Sequence, residues 1–365
     1  MLALLRHRRR LAVVAGLWTG MILCGWDMWV GLGWLPQVRV LNDFRLWYGA
    51  ARLGLTRGWD HLYDLFAQRD LMESLGFFWQ PYLNPPALAW LAVPFSLLPF
   101  ELALGLWTLL LIAAAVWTWR LAATGHGLTR AMHLALFLGL FPVAFGLLRG
   151  QPVALVAFAV AGGWWLLRHR KPVPAGMLLA LIAIKPQVAL LVPFALLASG
   201  RRIVFLAWLG YSALLVVASL ALLGVHGTAG YLSALATAAQ WDLGRRYALS
   251  GVLGLGPLLY VAQALVLLLT LWTAWRARHG APDLPVAAGL AGSLLFTPYV
   301  GYQDLAVLVP AGWLALRAGA PVWLAGLLAA GYAIVELAQA LPPALVPAWE
   351  LAFLVALAAR AAQRP

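Results

Sequence analysis

Apolar residues run almost without interruption from Leu11 to about Trp34, and the same texture returns along the whole chain, broken by short segments that hold Arg, Gly and Pro. A helix needs roughly 20 mainly apolar residues to cross a bilayer, and backbone polar groups are satisfied there within helices. The pattern therefore predicts an all-α protein, a polytopic transmembrane helical bundle. After the first span, further ones are expected at about 101–119, 131–148 and 152–167, then two paired short runs at 173–184 and 187–199. Others follow at about 203–223, 254–275, 284–298, 304–316, 321–340 and 346–359. Counting the short runs as two, this predicts about 12 crossings, one membrane domain over 1–365, and both termini on the same side.

Two stretches depart from that texture. Residues 86–98 are apolar but, at roughly 20 Å of helix, short for a span, and they read as a re-entrant or interfacial helix. Residues 35–84 are polar, with five basic and five acidic side chains; such a balance suggests a small folded cap, not a charged tail. Together, 35–99 form a helical loop between the first and second spans. Phe44, Trp47, Ala51 and Leu55 fall on one helical stripe, and Asn42 and Asp43 stand where a helix N-cap would. Asp43 is thus either a cap or a carboxylate placed for chemistry.

Composition agrees: 64% of the 365 residues are hydrophobic and 10% charged, against about half and a quarter in soluble domains, and mean hydropathy is +0.87. The net charge of +13 changes the picture only through its placement. It is not patched like a nucleic-acid footprint but sits at span ends, beginning with Arg6-His7-Arg8-Arg9-Arg10 ahead of an apolar stretch that reads as an uncleaved signal anchor. With the N-terminus in the cytoplasm, 16 of the 25 basic residues fall on that side, together with Asp283 alone of the 12 acidic ones, as the positive-inside rule requires. Residues 35–84 and 224–250 then face outward. The expected location is a bacterial inner membrane with membrane lipids, not nucleic acid, as surroundings.

Cys24 is the only cysteine, which excludes an intramolecular disulfide and a cysteine-cluster metal site. Walker and dinucleotide-binding motifs are missing, no His pair has metal-ligand spacing, and the histidines from His61 to His279 look scattered. Neither metal nor cofactor is expected.

The run Asp43-Phe-x-x-Trp-Tyr-x-Ala-Ala, then Gly58-Trp-Asp-His-Leu-Tyr63-Asp64, Tyr82-x-Asn-Pro85-Pro86 and Pro94-Phe-x-Leu-Leu-Pro99, resembles glycosyltransferase family 87. The likeness continues through Gly150-Gln151-Pro152, Ala-Ile-Lys185-Pro186 and Thr297-Pro298-Tyr299, covering roughly residues 40–310. It implies a GT-C type membrane enzyme that uses a polyprenyl-phosphate sugar, mannosyltransferase-like, with a lipid or glycan acceptor. It also implies an acid in the first outer loop as catalytic base, a role that maps onto Asp43. Where many members have histidines after the late Ser/Thr-Pro motif, this chain has Tyr302-Gln303-Asp304.

The residues supply that chemistry independently of the likeness. Sugar transfer from a lipid phosphate needs a base, cations for the departing phosphate and a dry site. Asp43 or Asp304 offers the base; Lys185, Arg149, Arg245 and Arg246 offer phosphate contacts, the last two having headgroup snorkelling as the plain alternative. Gln151, Asn84, Tyr299, Tyr302, Gln303 and Asp304 are the expected substrate contacts, and free N–H groups at Gly150-Gln151-Pro152 a further anion site. Lys185 either meets the carrier phosphate or pairs with Asp304 as a structural bridge. The competing function is a transporter or lipid-carrier flippase, which would bind the carrier without turnover; a scaffold is disfavoured because Lys185 is costly at membrane depth.

Overall fold

The computed structural model describes residues 2–239, 242–319 and 321–363, and every regular element among them is helical. The side chains of Arg6, His7, Arg8, Arg9, Arg39, Asp242 and Arg364 lie outside the described part. A long α1 (Leu2–Trp34) is followed by the short α2 (Val38–Leu41), then α3 (Phe44–Arg57), α4 (Leu65–Ser74) and α5 (Pro86–Ser96). The bundle continues with α6 (Phe100–Ala122), α7 (Leu128–Leu138), α8 (Phe141–Leu148), α9 (Val153–Arg168), α10 (Pro172–Leu179) and α11 (Leu191–Ala198). Next come α12 (Arg202–Ala239), α13 (Leu249–Leu253), α14 (Pro257–Arg276) and α15 (Asp283–Phe296). The last are α16 (Leu308–Arg317), α17 (Val322–Glu336) and α18 (Leu345–Ala362).

Among the described residues, five helices are long and apolar enough to cross a bilayer: α1, α6, α12, α14 and α18. The pair α7/α8 makes a sixth if its 56° bend is one broken span. The bend has a local cause, because Pro142 has no N–H to continue the ladder and Leu140 is extended. Support for the expected crossing count thus stops at five or six. The other apolar runs became shorter helices, from 8 residues in α11 to 16 in α9, at most about 25 Å long, against a hydrocarbon core of roughly 30 Å.

Helix α15 is buried from Asp283 to Leu295, apolar nearly all round as a central helix must be, and packs against α11, α14, α16 and α18. Helix α3 is likewise enclosed through Gly54, with Phe44, Trp47 and Ala51 inside. Leu55, expected on that stripe, is 48% exposed, because burial of α3 ends one turn before the helix does.

The basic clusters gather at one end of the bundle. Arg317 donates to the carbonyls of Ala122 and Ala123 and lies over Trp164, whose indole N–H meets Asp283, which also pairs with Arg168. Arg201 reaches Gly280, Arg276 reaches Ala362 and Arg360 reaches Ala318. Helix α9 ends here at Arg168 and begins at the opposite end, just after the turn that carries Arg149 and Gln151.

Candidate active site

The chain reverses out of α8 through a closed turn. Gly150 takes φ +67; its N–H donates to Leu147 and that of Gln151 to Gly146, the double bond of a Schellman C-cap. The N–H groups expected to be free for an anion are therefore spent on α8 carbonyls, and that part of the expectation is corrected. A Cβ at Gly150 would stand 2.8 Å from Asn42 Oδ1 and 3.0 Å from Phe44 Cβ, so the loop before α3 lies directly on this turn.

Asn42 shapes that loop. Its amide donates to Leu148 O at 2.7 Å, its Oδ1 accepts from Phe44 N at 2.8 Å, and its carbonyl accepts from Arg45 Nη1 at 2.6 Å. The Asp43 side chain makes no capping bond to α3. It turns instead to Arg149, whose Nη2 donates to Oδ1 at 2.6 Å and whose Nε donates to Oδ2 at 3.2 Å, while Gln151 Nε2 donates to Oδ2 at 2.6 Å.

Gln151 passes the network on: Lys185 Nζ donates to its Oε1 at 2.8 Å. Lys185 stands at the break between α10 and α11, outside the helical region (φ −154, ψ 72), which the following Pro186 disfavours. Its ammonium is 2.5 Å from Asp304 Oδ1, at 4% and 0% side-chain exposure. Asp304 Oδ2 accepts the N–H of Gly301 at 3.0 Å, so both its oxygens are engaged. Asp304, Lys185, Gln151, Asp43 and Arg149 thus form one continuous chain of polar contacts.

Arg45 is the neighbour that sequence reasoning missed. It is buried, 3.9 Å from Asp43, and held by Phe78 O and Gln80 Oε1. Burial lowers its guanidinium from the ordinary value, with Asp43 opposing. Its position two residues after Asp43 was the available signal.

The remaining candidates lie around this chain. Tyr299 is half-buried over Gly244 and feels the charges of Asp304 and Asp43. Gln303 is buried beside Gly146 and Gly301. Tyr302 packs on Phe141, Phe145 and Tyr247, and its hydroxyl donates to the carbonyls of Val335 and Glu336, turned to α17. Arg245 and Arg246 sit on the turn whose Gly244 carbonyl accepts from Val300 N at 2.8 Å, and the exposed Arg246 donates to Gln339 O. Asn84 is half-buried, its carbonyl accepting the Tyr63 hydroxyl. Beside Asp304, Leu305 and Leu308 join residues of α1, α7 and α17 around a mostly apolar cavity of about 360 Å³. Two histidines expected to lie scattered, His61 and His226, come together with ring centroids 5.9 Å apart.

A helical membrane bundle with basic residues at one end and a buried carboxylate and cation chain near the other is the frame of a polytopic membrane enzyme. The family model described as glycosyltransferase family 87 matches residues 82–298, well over half of the 365, and the chain belongs to that family. No curated protein and no solved structure matches it. The matched stretch is shorter at both ends than the 40–310 expected; it holds Arg149, Gln151 and Lys185 but not Asp43 or Asp304.

Proposed function

We propose that the enzyme transfers a sugar, mannose by family preference, from a polyprenyl-phosphate carrier to a lipid or glycan acceptor on the non-cytoplasmic face of a bacterial inner membrane. The observation that carries this reading is the clamp on Asp43, a carboxylate held by Arg149 and Gln151 at the start of α9. In the reaction the acceptor hydroxyl oxygen bonds to the sugar's anomeric carbon, the bond from that carbon to the phosphate oxygen breaks, and the electron pair leaves with the carrier phosphate. Asp43 takes the hydroxyl proton, and attack from the far face inverts the anomeric centre.

Arg149 suits the departing phosphate because its side chain, 24% exposed, is the most accessible of the three cations near Asp43. When phosphate draws the guanidinium away, a carboxylate oxygen of Asp43 is freed to take the hydroxyl proton at the step that needs it. Lys185 acts from behind as the second phosphate cation, and Tyr299, Gln303, Arg245 and Arg246 border the approach. Asn84 offers its half-buried side chain as a substrate contact, whereas Tyr302 contacts substrate only if its hydroxyl leaves the carbonyls of α17. The cavity beside Leu305 falls in the size range of small-molecule pockets, roughly 300–1,000 Å³, and its mostly apolar walls suit the carrier's first isoprene units. The basic end of the bundle then lies in the cytoplasm, which leaves the Asp43 end outside.

The test is transfer of radiolabelled sugar from a polyprenyl-phosphate donor by the detergent-purified protein. Turnover supports the enzyme; saturable carrier binding without turnover would assign the chain to carrier transport instead.

A further inference from the structure

We propose that His61, Asp64 and His226 form a site for one divalent transition-metal ion of the zinc class, which ties the second half of α12 to the segment before α4. Each residue offers one ligand atom, and all three atoms lie within 4.8 Å of one another. His61 and Asp64 come from the 58–64 stretch; His226 comes from far along the chain, and a specific backbone feature delivers it.

That feature is Gly224, whose φ of 58 breaks α12 and redirects its second half. The redirected half lies flat on the 58–64 stretch: a Cβ at Gly227 would stand 2.9 Å from Asp60 O, and one at Gly230 would stand 3.0 Å from Tyr63 Cβ. The Tyr231 ring then sits 4.9 Å from that of Tyr63. These contacts hold His226 opposite His61 whether or not an ion is bound.

Donor orientation is the second, independent observation. Asp64 Oδ1 is occupied, accepting from Phe66 N and Ala67 N as the N-cap of α4, so its Oδ2 is the atom turned to His61 Nδ1, at 3.8 Å. That separation is too long for a hydrogen bond. It is close to the roughly 3.4 Å that two ligands keep across a tetrahedral ion with bonds of about 2.0–2.2 Å. The other ring nitrogen, Nε2, has Asp60 Oδ2 3.7 Å away, not yet a hydrogen bond but near enough to become the carboxylate contact that orients a metal-bound histidine once an ion fixes the ring. Two imidazoles and a carboxylate favour zinc-like ions over calcium or magnesium, and the exposure of the group leaves the fourth position to water. The donors belong to neither the Asp43 nor the Lys185 contacts, so the ion's effect is to fasten the fold here.

The experiment uses untagged full-length protein in detergent, stripped with chelator and titrated with zinc by calorimetry and with cobalt by visible absorption. One saturable equivalent is expected, with d–d bands and a higher unfolding temperature, since an ion that binds only the folded state stabilises it. His61→Ala/His226→Ala, or His226→Gln should the double variant fold poorly, removes the equivalent and the thermal shift while the stripped unfolding temperature stays that of the stripped parent. Asp60→Asn keeps all three ligands and weakens affinity about 10-fold. Absence of a saturable equivalent, or one that persists in the histidine variants, overturns the site.

Discussion

Asp43 and Arg149 are joined twice: the guanidinium donates to both carboxylate oxygens, at 2.6 and 3.2 Å, and the Asp43 backbone N–H donates to the Arg149 carbonyl at 2.8 Å. The backbone bond survives any change of side chain, so each side chain can be replaced while the two segments stay in register. That separates chemistry from folding in the predictions for this pair.

Asp43→Asn keeps the shape and the main-chain bond but removes the base. Expression and membrane insertion should be normal, with turnover of radiolabelled donor down at least ~100-fold, the low end of general-base contributions. Near-normal turnover would remove Asp43 from the role and leave Asp304 as the alternative.

Arg149→Lys keeps the charge but loses the two-pronged grip on a carboxylate or phosphate. Losing one charged hydrogen bond costs about 1.5–3 kcal/mol. Donor KM should therefore rise roughly 10- to 100-fold, with acceptor KM little changed. A rise confined to the acceptor would place Arg149 on the wrong substrate.

Several helices were legible because their apolar runs end at Pro, Gly or Arg: the expected 101–119 became Phe100–Ala122, and 152–167 became Val153–Arg168. What could not be read is what long-range packing decides. Asn42 rather than Asp43 holds the entry to α3, a choice that depends on Leu148 accepting its amide. Gly150-Gln151 resembled a helix start with open N–H groups, but the same residues close α8. His61 and His226 show no motif spacing because a kink at Gly224, not a helical repeat, brings them together.

Gly150→Ala tests how closely that turn supports the site. A non-glycine residue at left-handed φ costs about 1–2 kcal/mol, and the new Cβ would press on Asn42 Oδ1. The unfolding temperature should drop, and turnover should fall more than donor binding does, because Asp43 is displaced through Asn42. An unchanged unfolding temperature with full activity would show that the turn yields without cost.

Orientation is open to single-cysteine labelling in a Cys24→Ser background. Impermeant reagent applied to intact cells should reach cysteines at positions 60 and 226 but not at 126 or 169. Labelling of position 169 from outside would reverse the topology and move the proposed transfer to the cytoplasm.

The final prediction concerns Lys185 and Asp304, which are paired at 2.5 Å with almost no exposure. Removing one partner of a buried pair strands the other and costs about 3–5 kcal/mol, so Lys185→Met should lower stability sharply. Lys185→Met/Asp304→Asn, with no stranded charge, should recover most of it. Activity separates the two roles left open for the lysine. If Lys185 also meets the carrier phosphate, passing through Gln151 to the Asp43 side, the double variant stays slow with raised donor KM although it is stable. Were the pair only a bridge, stability and turnover would return together, and the phosphate would have to be held by Arg149 without Lys185. Measuring the unfolding temperature and donor KM on the same preparations distinguishes the cases, because the bridge acts on both states of the catalytic cycle while a phosphate contact acts only when the carrier is bound.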